Sequence, residues 1–142
     1  MKLQLVRINQ DGSFPMTELQ IVPEVFDVAK SAFILYQTVG YTIPWIYFFA
    51  VIDKQIIGFC GFRGKAKRNR LKLDFATFAN FTGKGYSQLM VQELMRIKHY
   101  YDPEDKFSVS PYKALIANNV RSISLNAQLL LGDNRLNGNI TS

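Results

Sequence analysis

Two apolar runs separated by only two residues constrain the fold of this chain more than any other feature. Residues 45–52 and 55–62 are rich in aromatic and β-branched side chains, and only Asp53 and Lys54 lie between them. A two-residue loop between such runs is typical of a tight antiparallel hairpin. The longest apolar stretch, residues 42–52, is shorter than the roughly 20 residues that a membrane-spanning helix needs. The sequence therefore predicts a core β-hairpin and no membrane segment.

Composition limits the chain to one domain. With 142 residues, 48% of them hydrophobic and 20% charged, residues 1–142 can bury one core but not two. The 11 Phe, 7 Tyr and single Trp indicate a packed, sheet-centred core. Cys60 is the only cysteine, so an internal disulfide is excluded, and we interpret it as a small buried strand residue. Since no apolar signal segment is present near residue 1, we expect a cytoplasmic protein.

Positive charge favours partners that carry phosphate or carboxylate groups. The net charge is +6 at pH 7, which suits a phosphorylated cofactor, a nucleic acid or an acidic surface without choosing among them. The segment 64–70 is the most basic part of the chain. It predicts contact with an acidic protein or RNA, although a solvated hairpin tip is the commoner explanation. Its cationic residues are Lys65, Lys67, Arg68 and Arg70.

Periodicity places further elements around the hairpin. Pro23 suits the first position of a helix and Gly40 suits its end, with apolar residues such as Phe26 and Phe33 at helical spacing between them. Strands are predicted at residues 1–8, 71–78 and 107–110, and helices at 22–40, 86–100 and 119–131.

Residues 82–87, with the sequence Thr-Gly-Lys-Gly-Tyr-Ser, lie between a predicted strand and a predicted helix. Gly83 and Gly85 allow the backbone to turn its N–H groups toward one point, and the following helix adds its free N–H donors and the positive end of its dipole. The two common nucleotide-binding loops fit poorly, because Gly85 follows Lys84 and Gln88 occupies the place of a third glycine. The segment predicts a binding site for a pyrophosphate.

The element order and several segments resemble the GNAT superfamily of acyl-CoA-dependent N-acetyltransferases, closest to the branch with the ribosomal-protein N-terminal acetyltransferases. The resemblance implies an α/β (α+β) fold: a GNAT-like mixed, mostly antiparallel central sheet flanked by helices, here with an abbreviated C-terminus. The segments that carry it are the hairpin 45–62, the strand 73–77, the turn 82–87 and residues 119–123.

The resemblance also implies a binding surface for acetyl-CoA, with backbone amides holding the pyrophosphate and the pantetheine arm. The family's long side chain at the start of the turn is replaced by Thr82, so the backbone carries this role. The implied cofactor-binding residues are Phe75, Ala76, Thr77, Phe78, Thr82, Gly83, Lys84, Gly85, Tyr86, Ser87 and Asn119.

Asp74 lies where many family members have a glutamate, and the resemblance implies that it acts as the general base for the substrate amine. The alternatives are a carboxylate paired with Lys72 or Arg70, or an acceptor that only positions the substrate. Asn126 replaces the family's usual tyrosine acid, which leaves Tyr112, Ser122 or solvent as the proton donor.

We therefore expect a transferase that moves an acetyl group from acetyl-CoA to a primary amine of a small molecule or a peptide N-terminus. The alternative is a catalytically weak or inactive binding module of the same fold, with CoA, a protein or RNA as its ligand. No metal is expected, because His99 is the only histidine and is interpreted as a surface residue. The sequence leaves open whether the chain is a monomer or a homodimer.

Overall fold

The computed structural model describes residues 2–110. Five strands form one sheet, and two long helices and two short 3₁₀ turns complete the described part. The predicted helix at 119–131 and the residues Tyr112, Asn119 and Ser122 lie outside it. The strands are β1 Gln4–Arg7, β2 Tyr47–Ile52, β3 Gln55–Phe62, β4 Arg70–Thr77 and β5 Ser108–Ser110; the helices are α1 Glu24–Val39 and α2 Tyr86–Tyr101.

The sheet is mixed but mostly antiparallel, as the sequence predicted. Its strand order is β1-β2-β3-β4-β5, with antiparallel pairs throughout except for the parallel pair of β4 and β5. The core hairpin is confirmed: β2 is buried along its whole length and β3 is buried after Gln55. Asp53 and Lys54 both have positive φ, at 51° and 65°, which is the conformation that a tight two-residue hairpin loop needs.

The observed elements begin and end a few residues from their predicted bounds. β2 begins at Tyr47 rather than at residue 45, because the N–H of Trp45 donates to the carbonyl of Thr42 in a turn. Pro23 precedes α1 as its cap, and Gly40 ends the helix with a φ of 90°. These shifts follow local turn geometry, which periodicity alone does not reveal.

The two helices cover opposite faces of the sheet. On one face, the Tyr36 hydroxyl of α1 donates to the Ile8 carbonyl and accepts from the N–H of Tyr47. On the other face, α2 contacts β4 through Ser87 and Thr77. Tyr47 shares its face of the sheet with Asp74 on β4, which lies in register with it across β3. Thr77 lies three residues beyond Asp74 and therefore faces the opposite side, because side chains alternate along a strand. This arrangement encloses the central strands between the helices.

The buried stripe of α1 is narrower than its apolar spacing predicted. Val25, Ala29 and Tyr36 are buried as expected, whereas Phe26 and Phe33 are 48% and 41% exposed. Ala32 is also buried as expected, and Val28, which the spacing did not include, is buried as well. Apolar spacing could not show which of these residues are buried, because apolar residues occupy more than half of the helix circumference.

No helix within residues 2–110 is long and apolar enough to cross a bilayer.

Candidate functional site

The bend that joins β4 to α2 is open on its outer side. After a 3₁₀ turn at Ala79–Phe81, Gly83 and Gly85 adopt φ angles of 82° and 78°. A Cβ atom built on either glycine would have no heavy atom within 4 Å. These glycines are therefore required by the left-handed backbone and not by a close neighbour inside the protein. Space remains for a ligand to approach the backbone here.

The positive end of the α2 helix dipole is not neutralised by a capping side chain or by an acidic residue of its first turn. Gly85 is its N-cap and offers no capping side chain, and the first turn contains no acidic residue. In α1, by contrast, Glu24 and Asp27 occupy the first turn. Unpaired N–H groups and the helix dipole together attract an anion, and the exposed Lys84 adds a positive charge beside them.

The side chains of this bend are largely used within the protein. The Thr82 hydroxyl donates to the Ala79 carbonyl over 3.2 Å. The hydroxyls of Thr77 and Ser87 lie 2.7 Å apart and link the end of β4 to the first turn of α2. A ligand at the bend would therefore find mainly backbone N–H groups and the exposed Lys84 side chain.

Alternation along β4 decides which backbone amides are available to a ligand. The N–H of Phe78 donates to the Ile57 carbonyl over 2.9 Å, and the pairing of Ala76 with Phe59 directs the Ala76 amide to β3 as well. The N–H groups of Phe75 and Thr77 point away from β3. The predicted set of four donors on β4 is thus corrected to these two, because the other two belong to the sheet.

Asp74 is buried in an ion pair that the sequence did not identify. Its carboxylate accepts from the Arg63 guanidinium at both oxygens, over 2.8 and 2.9 Å, and from the hydroxyl of Tyr47. The pairing alternative was therefore right in kind, but the partner is Arg63 and not Lys72 or Arg70. Asp74 is 3% exposed, so its bound oxygens are poorly placed to take a proton directly from a substrate amine, and the expected role of general base is not supported.

Gly61 makes this network possible. Tyr47, Gly61 and Asp74 are cross-strand partners on β2, β3 and β4, and partners in register project to the same face. A Cβ on Gly61 would lie 2.3 Å from the Ile46 carbonyl oxygen and 2.7 Å from the Tyr47 ring. The absence of a side chain on the middle strand lets the tyrosine reach across it.

The network keeps Tyr47 and Arg63 in fixed protonation states. Burial and the neighbouring Asp74 charge raise the pKa of Tyr47 well above 10, so the phenol remains a neutral donor. Burial alone would lower the pKa of Arg63, but the hydrogen bonds and electrostatic interactions with Asp74 and Tyr47 together outweigh it and the pKa is raised. Arg63 and Tyr47 therefore both remain donors to the buried Asp74 carboxyl group, which suits a structural role.

Two further residues from the sequence lie away from this chemistry. Cys60 is fully buried in β3, and burial raises the pKa of its thiol, so it is unreactive as a nucleophile. His99 is exposed near the end of α2. Within residues 2–110, no three histidine, cysteine or acidic side chains are grouped so that they could hold a metal ion.

Compared with models of known protein families, with curated proteins and with solved structures, the chain matches none.

Proposed function

We propose that this chain is a GNAT-type N-acetyltransferase, an acyltransferase that uses acetyl-CoA to acetylate a primary amine of a small molecule or a peptide N-terminus. The observation that carries the proposal is the open bend at 82–87 with its uncompensated helix end. It lies at the carboxyl end of β4 within a β4–α2–β5 crossover whose two strands are parallel. Ligands of sheets with such crossovers bind at this end of the strands.

In this proposal, backbone amides bind the pyrophosphate and orient the thioester. Residues 83–87 offer N–H donors to the phosphates, and the amides of Phe75 and Thr77, which point away from β3, hold the pantetheine arm. Such fixed donors can stabilise the negative charge that develops on the thioester oxygen as the amine attacks. A carbon–nitrogen bond forms, the carbon–sulfur bond breaks, and the thiolate of CoA leaves.

The proton of the substrate ammonium must go to a group other than buried Asp74. Water is the simplest acceptor, and transfer would then be accelerated chiefly by the orientation of the amine and the thioester.

The proposed reaction takes place in the cytoplasm. Cys60 is the only cysteine of the chain and has no part in the proposed reaction, and a single free thiol suits a reducing compartment.

A binding module of the same fold is the second candidate. The observation that favours it is the Asp74–Arg63 ion pair, which removes the carboxylate expected to act as base. Such a module would bind CoA at the bend without efficient turnover.

Incubation of the chain with acetyl-CoA and a panel of amines separates the two candidates. The panel contains small monoamines and short peptides with free N-termini, and thiol release is measured. We expect release that depends on both the amine and the protein. Binding of CoA with no release above background for any amine would favour the module, and the absence of CoA binding would contradict both.

A further inference from the structure

A basic cleft lies at the opposite end of β4 from the glycine bend. Its volume is about 420 Å³, and among residues 2–110 Val39 at the end of α1 is the only uncharged residue that lines it. The other lining residues, from β4 and the connection between β3 and β4, are Arg63, Lys65, Lys67, Arg68, Arg70 and Lys72. The cleft thus adds Arg63 and Lys72 to the basic segment that the sequence identified.

Most of these charges have no acidic partner in the described part of the chain. Within residues 2–110, Arg63 is paired with Asp74, and none of the other five lining cations forms a salt bridge. Concentrating like charges in a concave surface raises the local potential and costs free energy unless an anion binds. The side chains of all five of these cations are exposed, so an anion from solution can reach them.

The walls of the cleft are built by specific backbone contacts. Gly64, with a φ of 82°, packs so closely on α1 that a Cβ there would lie 2.8 Å from the Cβ of Val39. Lys67 and Arg70 exchange two backbone hydrogen bonds of 3.0 Å, and the Asn69 carbonyl accepts from the N–H of Ser108 in β5. The connection between β3 and β4 is therefore fixed against both a helix and a strand.

Arg63 forms the firmest part of the wall. Asp74 holds its guanidinium at two atoms, while 23% of the Arg63 side chain is exposed. An arginine that is fixed on one side and exposed on the other is arranged to donate its remaining N–H groups to an anion, and guanidinium groups bind phosphate oxygens with matching geometry.

We propose that the cleft binds a polyphosphate, either a free polyphosphate or the backbone of a single-stranded nucleic acid. The cleft has room for several phosphate groups, and none of the residues between 2 and 110 that line it has an aromatic side chain on which a base could stack. Recognition would therefore be of the phosphates and not of the bases. Thr77 and Arg70 are about 23 Å apart along β4, so this site is separate from the glycine bend and does not depend on the proposed acetyl transfer.

Binding is measured for the 142-residue chain with inorganic triphosphate and with a fluorescently labelled oligouridylate, across a series of salt concentrations. The test variant carries Lys65→Gln, Lys67→Gln and Lys72→Gln. The matched control carries Lys2→Gln, Lys30→Gln and Lys54→Gln, which removes as much charge from exposed lysines outside the cleft.

We expect both ligands to bind the unmodified chain and the test variant to bind at least tenfold more weakly at low salt. The slope of log K against log salt for the oligouridylate should fall by about 2, since each lost contact with single strands contributes about 0.7. The control should keep both its affinity and its slope. Oligouridylate binding more than tenfold tighter than triphosphate identifies a nucleic-acid backbone as the ligand, and similar affinities identify a free polyphosphate.

Three results would overturn the proposal. These are the absence of binding by both ligands, an equal loss in the test and control variants, and displacement of the oligouridylate by polyglutamate at equal charge concentration. The last result would identify an acidic protein segment as the ligand.

Discussion

The hydroxyl of Tyr47 donates a hydrogen bond to the carboxylate of Asp74, although the two residues stand on strands that β3 separates. The contact passes over Gly61, and the same carboxylate binds Arg63 at the edge of the basic cleft. One buried network therefore joins three central strands and fixes one cation of the cleft wall. It also removes the most prominent acidic residue of the sequence from direct proton transfer.

Gly61→Ala should destabilise the fold strongly. Its Cβ would lie 2.3 Å from the Ile46 carbonyl oxygen and 2.6 Å from the Cα of Tyr47, and neither backbone atom can move without disturbing β2. We expect the free energy of unfolding to fall by about 3 kcal/mol, near the upper end for overpacking. Urea denaturation measures this. A free energy of unfolding within about 0.5 kcal/mol of that of the unmodified chain would contradict the packing argument.

Asp74→Asn should lower stability without changing how activity depends on pH. The substitution weakens the bonds to Arg63, which is partly exposed and can regain some water, so we expect a loss of about 1–3 kcal/mol. If acetyl transfer is detected, the midpoint of its pH profile should be the same in the variant. Asp53→Asn, in an exposed turn, is the control for loss of one negative charge. If the rising limb of the pH profile disappears in Asp74→Asn but not in Asp53→Asn, Asp74 acts as the general base and this prediction is wrong.

Asp102 should make stability depend on pH in the acid range. Burial opposes ionisation of this carboxyl, but the N–H groups of Phe107 and Lys106 and the ammonium of Lys98 stabilise the carboxylate, and the pKa is lowered below 3.8. A lowered folded-state pKa contributes stability that is present above the unfolded pKa and is lost as pH falls through the folded pKa.

Unfolding measured between pH 5 and pH 2 checks this contribution. The unmodified chain should lose stability more steeply than Asp102→Asn below about pH 4. Parallel curves for the two proteins would show that the contacts of Asp102 with Lys98, Lys106 and Phe107 contribute no pH-dependent stability.

Gly85→Asn should separate CoA binding from folding. Asparagine tolerates the left-handed conformation that Gly85 adopts at φ 78° and ψ 11°, but its side chain would occupy the open space over the bend. Because charge-assisted hydrogen bonds are each worth about 1.5–3 kcal/mol, loss of one or more should raise the Kd for CoA at least tenfold. Calorimetric titration measures this, with Gly40→Ala as a control for strain at a glycine with positive φ. Equal affinities in both variants would count against the bend.

The sequence predicted what depends on neighbouring residues and missed what depends on sheet register. The hairpin at Asp53 and Lys54 and the bend at Gly83 and Gly85 follow from local apolar runs and glycine spacing, and all of these residues have positive φ. The partner of Asp74 could not be predicted in this way. Arg63 is eleven residues away in sequence, and it reaches Asp74 only because β3 and β4 pair in one particular register.

The basic cleft illustrates the same limit. Lys65, Lys67 and Arg68 form an evident charge cluster in the sequence, but the cleft exists because Gly64 packs on Val39 of a distant helix. A contact between an early helix and a later loop leaves no periodic signal. The exposure of Phe26 and Phe33 on α1 was missed for a related reason, since contact with the sheet decides which apolar residues of a helix are buried.

The most direct test of the account is a titration of the ¹⁵N-labelled chain with CoA, followed by the chemical shifts of assigned backbone amides. We predict that the largest changes occur at residues 83–87, with smaller changes at Phe75 and Thr77 and little change at Ala76 and Phe78. Unchanged amides at 83–87, with or without shifts around residues 63–72, would show that CoA is not held by the bend and would contradict the proposed acetyltransferase site.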